Sequence, residues 1–87
     1  MHKIGMVSVY YPKLKSWHKH ICIFSGAYLY FFDNEADDNN LFYFYIKDAE
    51  ISRNRDYQYT INLKRKDEDL TICAGFKNEY KDWMAIL

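Results

Sequence analysis

The chain has 87 residues, of which 49% are hydrophobic and 20% aromatic, so we expect one domain, residues 1–87, with a compact core. Its twelve basic and twelve acidic side chains cancel, and this balance excludes a general nucleic-acid binder, which would be basic overall. With three Gly and one Pro, the composition also argues against a disordered segment.

Strands and tight turns are predicted for the first third of the chain. Residues 6–10 form a short apolar strand, and residues 17–24 form a second one. A turn at residues 25–27 leads into a third strand, residues 28–32, which is the spacing of a β-hairpin.

Polar loops surround an aromatic strand in the middle of the chain. Residues 33–40, with the sequence DNEADDNN, have no apolar anchor and are predicted to form an acidic loop. Residues 41–46 are aromatic and favour a fourth strand. Residues 47–56 are a polar connection in which Ala49 and Ile51 turn inward.

The periodicity changes near the end of the chain. Residues 57–63 alternate like a strand with one buried face, and residues 64–69, KRKDED, turn into a last strand at residues 70–74. Apolar side chains then recur at the spacing of an amphipathic helix. The apolar stripe consists of Phe76, Tyr80, Trp83, Met84 and Leu87.

Three stretches resemble the pleckstrin homology (PH) domain family. Residues 3–7, KIGMV, are similar to the family's opening K-x-G-x-[LV] on its first strand. Residues 17–24 and 29–32, WHKHICIF and LYFF, are similar to W-K-K-R-W-F-V-L and L-Y-Y-[YF]. Residues 74–87 follow A-x-S-x-x-E-x-x-x-W. The resemblance implies a mainly β fold, a seven-stranded bent antiparallel barrel capped by one C-terminal α-helix.

The resemblance also implies that Trp83 packs the helix on the barrel. The alternation of residues 57–63 predicts further core positions at Tyr57, Tyr59 and Ile61. Phe76 stands where the family often has a Ser or Thr that caps the helix, so we expect Asn78 or the backbone at Gly75 to replace that cap.

Many PH domains bind phosphoinositide headgroups at the open end of the barrel. The family uses a Lys late in strand one, K-x-R in strand two and a Tyr in strand three, since cations and hydroxyls suit phosphate. The matching positions here hold Val9, His18, His20 and Phe31. Histidine ordinarily titrates near pH ~6.5, so the pocket has little fixed charge. We expect weak binding of anionic lipid that strengthens as pH falls from about 7.5 to about 6.

The fixed positive charge near this pocket lies in and beside the first loop and in the last turn. The candidate ligand-binding residues are Lys13, Lys15, His18, Lys19, His20, Lys64 and Lys66. Each lysine near an anionic membrane contributes only ~1 kcal/mol, so the first loop needs a second contact. The alternative interpretations are a solvated first loop and a self-neutralising KRKDED hairpin turn.

Two functional classes remain open. The first is a non-enzymatic signalling adaptor that binds anionic phospholipid or phosphoinositide headgroups weakly at the membrane. The second is a protein–protein interaction module with a degenerate lipid pocket, in which the acidic loop binds a basic partner. The acidic residues of that loop are Asp33, Glu35, Asp37 and Asp38. A purely structural role within a larger protein is a third interpretation.

Catalytic and metal chemistry are not expected, and neither is a cofactor. The sequence has no nucleophile with an adjacent base and no Gly-rich phosphate loop. His18, His20 and Cys22 share one face of a flat strand and do not converge as zinc ligands do. The acidic loop lacks the Gly and the terminal Glu of a calcium-binding loop.

The two cysteines and the ends of the chain bear on its location. Cys22 and Cys73 form no disulfide framework, so we expect free thiols in a reducing compartment. No signal peptide opens the chain, and no apolar run approaches the ~20 residues of a membrane helix. We expect a cytoplasmic protein, peripherally associated with membranes. Its final helix is consistent with a segment cut from a longer protein.

Overall fold

The fold is one antiparallel sheet with a single C-terminal helix. A computed structural model describes residues 2–34 and 36–87, and the elements below refer to these residues. They are β1 (His2–Tyr11), β2 (Ser16–Ser25), β3 (Tyr28–Phe32), β4 (Phe42–Tyr45), β5 (Glu50–Arg53), β6 (Thr60–Arg65), β7 (Glu68–Cys73) and α1 (Lys77–Ile86). The strand order is β4-β3-β2-β1-β7-β6-β5. The predicted fold class is confirmed. No helix in the described residues is long and apolar enough to cross a membrane.

The first hairpin is longer than its apolar residues alone predicted. β1 and β2 pair without interruption from His2 opposite Ser25 to Tyr11 opposite Ser16. Strand pairing therefore extends β1 to residue 2, four residues before the apolar run begins. The turn into β3 is confirmed, and Gly26 takes the positive φ of 62° that this tight turn requires.

The core lies between the inner face of the sheet and the helix. It comprises Val7, Val9, Cys22, Phe24, Leu29, Phe31, Phe44, Ile61, Leu63, Leu70, Ile72, Ala74 and Trp83. Trp83 lies directly on Gly5 of β1, where an added Cβ would be 3.3 Å from Trp83 Cζ2. Lys3 Nζ forms an ion pair with Glu79 Oε2 at 2.6 Å and lies 5.2 Å from the centroid of the same indole. These contacts join α1 to β1, as the resemblance implied for Trp83.

The segment between residues 47 and 63 differs from the prediction. The polar connection contains β5, whose four residues pair with β6, while Ile51 alone among them is half-buried and apolar. β6 begins at Thr60 and not at Tyr57, because Tyr59 has a positive φ of 54° that ends the extended backbone. The core prediction is confirmed for Ile61 and wrong for Tyr57, which is exposed.

The start of the helix also differs from the prediction. Phe76 is the N-cap residue with extended backbone, and its side chain is 71% exposed. Because it precedes the first helical turn, the helical period does not place it on the buried stripe. No side chain caps the helix, so the replacement expected from Asn78 is not formed.

Candidate functional site

The turn between β1 and β2 presents an apolar side chain between two lysines. Leu14 N–H donates to the Tyr11 carbonyl at 3.1 Å, and Lys15 N–H donates to the Pro12 carbonyl at 3.2 Å. Lys15 takes a φ of 53°, which closes the turn. Leu14 is 64% exposed, and Lys13 and Lys15 on either side are also exposed. The turn therefore places an apolar side chain and two cations together at the protein surface.

A cleft of about 270 Å³ lies beside this turn. We call it the mouth cleft, and its lining residues are Tyr11, Leu14, His18, Lys19, His20, Asp33 and Leu41. Three of the predicted ligand-binding residues thus meet here: His18, Lys19 and His20. Lys13 and Lys15 flank the cleft on the turn without lining it.

His20 is buried, with only 3% of its surface exposed. Its Nε2 shares a hydrogen bond of 2.7 Å with the Tyr11 hydroxyl, and its Nδ1 lies 3.6 Å from Asp33 Oδ1. The ring meets Phe42 edge-on, with centroids 5.8 Å apart. Burial, and secondarily the negative charge of Asp33, raise the pKa of the Tyr11 phenol. One imidazole nitrogen is therefore already bonded within the protein.

The formal charges of Lys19 and Asp33 cancel in the mouth cleft, so these two residues give it no net positive charge that would attract a phosphate. His18 is exposed, and its Nε2 shares a hydrogen bond of 2.9 Å with Ser16 Oγ. Lys19 contributes one positive charge and Asp33 one negative charge to the lining. The strand-three position holds Phe31, which is buried in the core.

Lys64 and Lys66 do not line the mouth cleft. Lys64 lies in β6 opposite Glu50 of β5 on one side and Asp69 of β7 on the other. Lys66 occupies the β6–β7 turn with a φ of 54°. Lys64 therefore lies between acidic residues, and neither lysine joins the histidines in the mouth cleft.

An apolar groove of about 580 Å³ lies on the outer face of β1, β2 and β3. We call it the outer groove, and its lining residues are Ile4, Gly5, Met6, Ile21, Ile23, Phe32, Asn34, Asp37 and Asp38. Ile4 faces Ile23 across the strands, and Met6 faces Ile21. Ile4 is 60% and Met6 54% exposed. Sequence reasoning missed this surface, although the apolar residues on both faces of β1 and β2 could have indicated it.

The structure divides the acidic loop between two surfaces. Asp33 lies in the mouth cleft, whereas Asp37 and Asp38 form one side of the outer groove. Glu35, the remaining acidic residue of the predicted partner site, lies outside the described residues. The acidic charge is therefore adjacent to exposed apolar surface, an arrangement that suits a basic, apolar partner.

The model of the PH domain family matches residues 1–87. This chain belongs to the PH domain family. No curated protein matches this chain with a significant score.

Solved structures agree on the fold of this PH domain. The carboxyl-terminal PH domain of pleckstrin is similar with a TM-score of 0.85 and 17% identity, over 95% of this chain and 88% of that one. The PH domain of human oxysterol binding protein-related protein 11 has a TM-score of 0.86 and 16% identity, over 99% and 76%. A chain in the crystal structure of sifa and skip has a TM-score of 0.69 and 19% identity, over 95% and 90%.

Proposed function

We propose that this PH domain is a non-enzymatic adaptor that contacts anionic membrane surfaces weakly through the β1–β2 turn. The observation that supports this proposal is the exposed Leu14 between Lys13 and Lys15. Both cysteines are free, which favours the cytoplasmic side of the membrane. The mouth cleft contributes less, because Asp33 offsets Lys19 there.

The energetics of such a contact are modest. Lysines near an anionic surface contribute about 1 kcal/mol each, and burial of a leucine side chain contributes about 2 kcal/mol. With Lys13, Lys15 and Leu14 the sum is about 4 kcal/mol before any ordering cost, which corresponds to a dissociation constant of about 1 mM. Stable association therefore needs a second contact or a second copy.

Vesicle co-sedimentation tests this proposal. We expect binding to vesicles with phosphatidylserine or phosphoinositides and none to neutral vesicles. Leu14→Ser and Lys13→Gln/Lys15→Gln each weaken binding, while the matched control Lys64→Gln/Lys66→Gln leaves it unchanged. Equal losses in the control and the turn variants, or binding to neutral vesicles alone, would contradict the proposal.

The outer groove favours protein interaction as a second candidate function. A partner with a basic, apolar segment would cover Ile4 and Met6 and neutralise Asp37 and Asp38. The test titrates labelled protein with a Leu/Lys amphipathic peptide and with its Leu/Glu counterpart. We expect amide shifts along β1 and β2 for the Leu/Lys peptide alone, and their loss in Asp37→Asn/Asp38→Asn. The same shifts with both peptides would mean that charge plays no part.

A further inference from the structure

A second cleft lies between the β5–β6 loop and the start of α1. It measures about 350 Å³. We call it the basic cleft, and its lining residues are Arg53, Asn54, Arg55, Asp56, Tyr57, Gln58, Tyr59, Lys77, Tyr80 and Lys81. It shares no lining residue with the mouth cleft or the outer groove.

Positive charge is concentrated in the basic cleft. Two arginines, two lysines and the single carboxylate of Asp56 give it a formal charge of +3. Within residues 2–34 and 36–87, the ion pairs are Lys3 with Glu79 and His20 with Asp33, so none involves a cation of this cleft. Its guanidinium donors also make no side-chain hydrogen bond in those residues, since Arg65 is the arginine that does. The mouth cleft, with Lys19 offset by Asp33, is far less positive.

Hydrogen bonds of Asn54 hold one wall of the basic cleft in place. Asn54 Oδ1 accepts from the N–H groups of Asp56 at 2.8 Å and Tyr57 at 3.0 Å. Asn54 N–H donates to the Thr60 carbonyl at 2.9 Å. These bonds fix the loop that carries Arg55, so the cleft is largely preformed.

One backbone hydrogen bond and one contact between two rings fix the other wall. Ala74 N–H donates to the Tyr59 carbonyl at 2.8 Å, and the Tyr59 and Tyr80 rings lie 6.2 Å apart. Lys77 and Lys81 are one helical turn apart, so their like charges repel each other. Lys77 also lies in the first turn of α1, where the positive end of the helix dipole disfavours a cation. A bound anion would relieve this repulsion.

We propose that the basic cleft binds a phosphate monoester group of a small ligand. Guanidinium groups pair with phosphate oxygens through two parallel hydrogen bonds, and ammonium groups add charge without a geometric demand. The volume lies at the lower end of the range for small-molecule sites. The phosphate belongs either to a lipid headgroup or to a soluble molecule, and both present the same chemistry. This site is separate from the membrane contact of the β1–β2 turn.

The test is a titration of ¹⁵N-labelled protein with inositol hexakisphosphate and, separately, with inorganic phosphate. We expect shifts at the amides of residues 53–59 and 77–81. Arg55→Gln/Lys81→Gln raises the dissociation constant at least about tenfold, while the control Lys47→Gln, at an exposed lysine that lines none of the three surfaces, changes it less than about twofold. Because these side chains are exposed, we expect the variants to fold. The amide spectrum of each free variant checks this.

A parallel arm with phosphoinositide vesicles separates the two sources of phosphate. If Arg55→Gln/Lys81→Gln loses soluble phosphate and also phosphoinositide vesicles, the cleft takes a lipid headgroup. If it loses only the soluble ligand, the cleft takes a soluble phosphate. No shift in the cleft, or an equal loss in Lys47→Gln, overturns the proposal. If only the turn variants lose vesicle binding, that result tests the membrane contact of the β1–β2 turn and leaves the basic cleft unaffected.

Discussion

A histidine in a ligand-binding position and a histidine in a core differ in their neighbours. His20 occupies a strand-two position where other PH domains have a basic residue, yet Tyr11, Asp33 and Phe42 surround its ring. The sequence could place His20 on the inward face of β2 by alternation. It could not show that Tyr11 reaches the same ring, because that contact depends on how far β1 and β2 pair.

Tyr11→Phe is expected to destabilise the protein by about 1–3 kcal/mol, because His20 Nε2 would remain buried without a partner. The control is Tyr10→Phe, since the Tyr10 hydroxyl makes no side-chain hydrogen bond in the described residues. Urea unfolding near neutral pH measures both. Equal free energies of unfolding for the two variants would show that the Tyr11–His20 bond contributes no stability.

Cys22 is expected to make stability fall at alkaline pH. Burial raises the pKa of its thiol, so the folded state keeps the proton after the unfolded chain begins to lose it near pH ~8.5. The stabilisation is fully present below that pH and decreases above it by about 1.4 kcal/mol per pH unit.

Cys22→Ala lacks this titration, while Cys73 remains in both proteins. Urea unfolding at about pH 8 and about pH 10 should therefore show the advantage of the native protein over Cys22→Ala shrinking as pH rises. An advantage that stays constant over this interval would contradict the raised pKa.

At the scale of the elements, burial produces an apolar pattern in the sequence, whereas backbone pairing between strands does not. β2, β3, β7 and α1 have apolar residues at the spacing of their own geometry, and these elements were predicted in the right places. β5 is a strand because its backbone pairs with β6, while three of its four side chains are exposed. A short strand at the edge of a sheet leaves too little apolar pattern to be predicted from one sequence.

The contact between α1 and β1 is expected to be sensitive to one methyl group. In Gly5→Ala the new Cβ would lie 3.3 Å from Trp83 Cζ2, and Trp83 is fully buried and has little room to move. We expect a loss of about 1–3 kcal/mol in unfolding free energy. Ser8→Ala, on the outer face of the same strand, is the control and should change stability by much less.

A capping side chain at the start of α1 is expected to increase the stability of the protein. Phe76 has the extended backbone of an N-cap residue but offers no side-chain acceptor. Phe76→Ser should therefore stabilise the protein by about 1 kcal/mol relative to Phe76→Ala, which removes the same exposed ring without adding a hydroxyl. Thermal unfolding of the two variants measures the difference. Equal melting temperatures would mean that the first turn gains nothing from a cap.

At the scale of the whole molecule, a formal charge of zero hides strong local differences. The β1–β2 turn is basic, the outer groove is acidic along one side, and the basic cleft carries a formal charge of +3. The basic turn was visible in the sequence because its lysines are close together in the chain. The basic cleft was not, because Arg53 and Arg55 meet Lys77 and Lys81 only after folding.

The uninterrupted pairing of β1 and β2 fixes the distance between the two ends of the first hairpin. Leu14 lies at its turn, whereas Ile4 lies near the other end of β1 and lines the outer groove. The seven steps of extended strand from Ile4 to Tyr11 span about 23 Å. If the turn contacts a membrane and the strands stand perpendicular to it, a protein bound in the outer groove is held at a fixed distance from the lipid. A longer or shorter hairpin would change that distance.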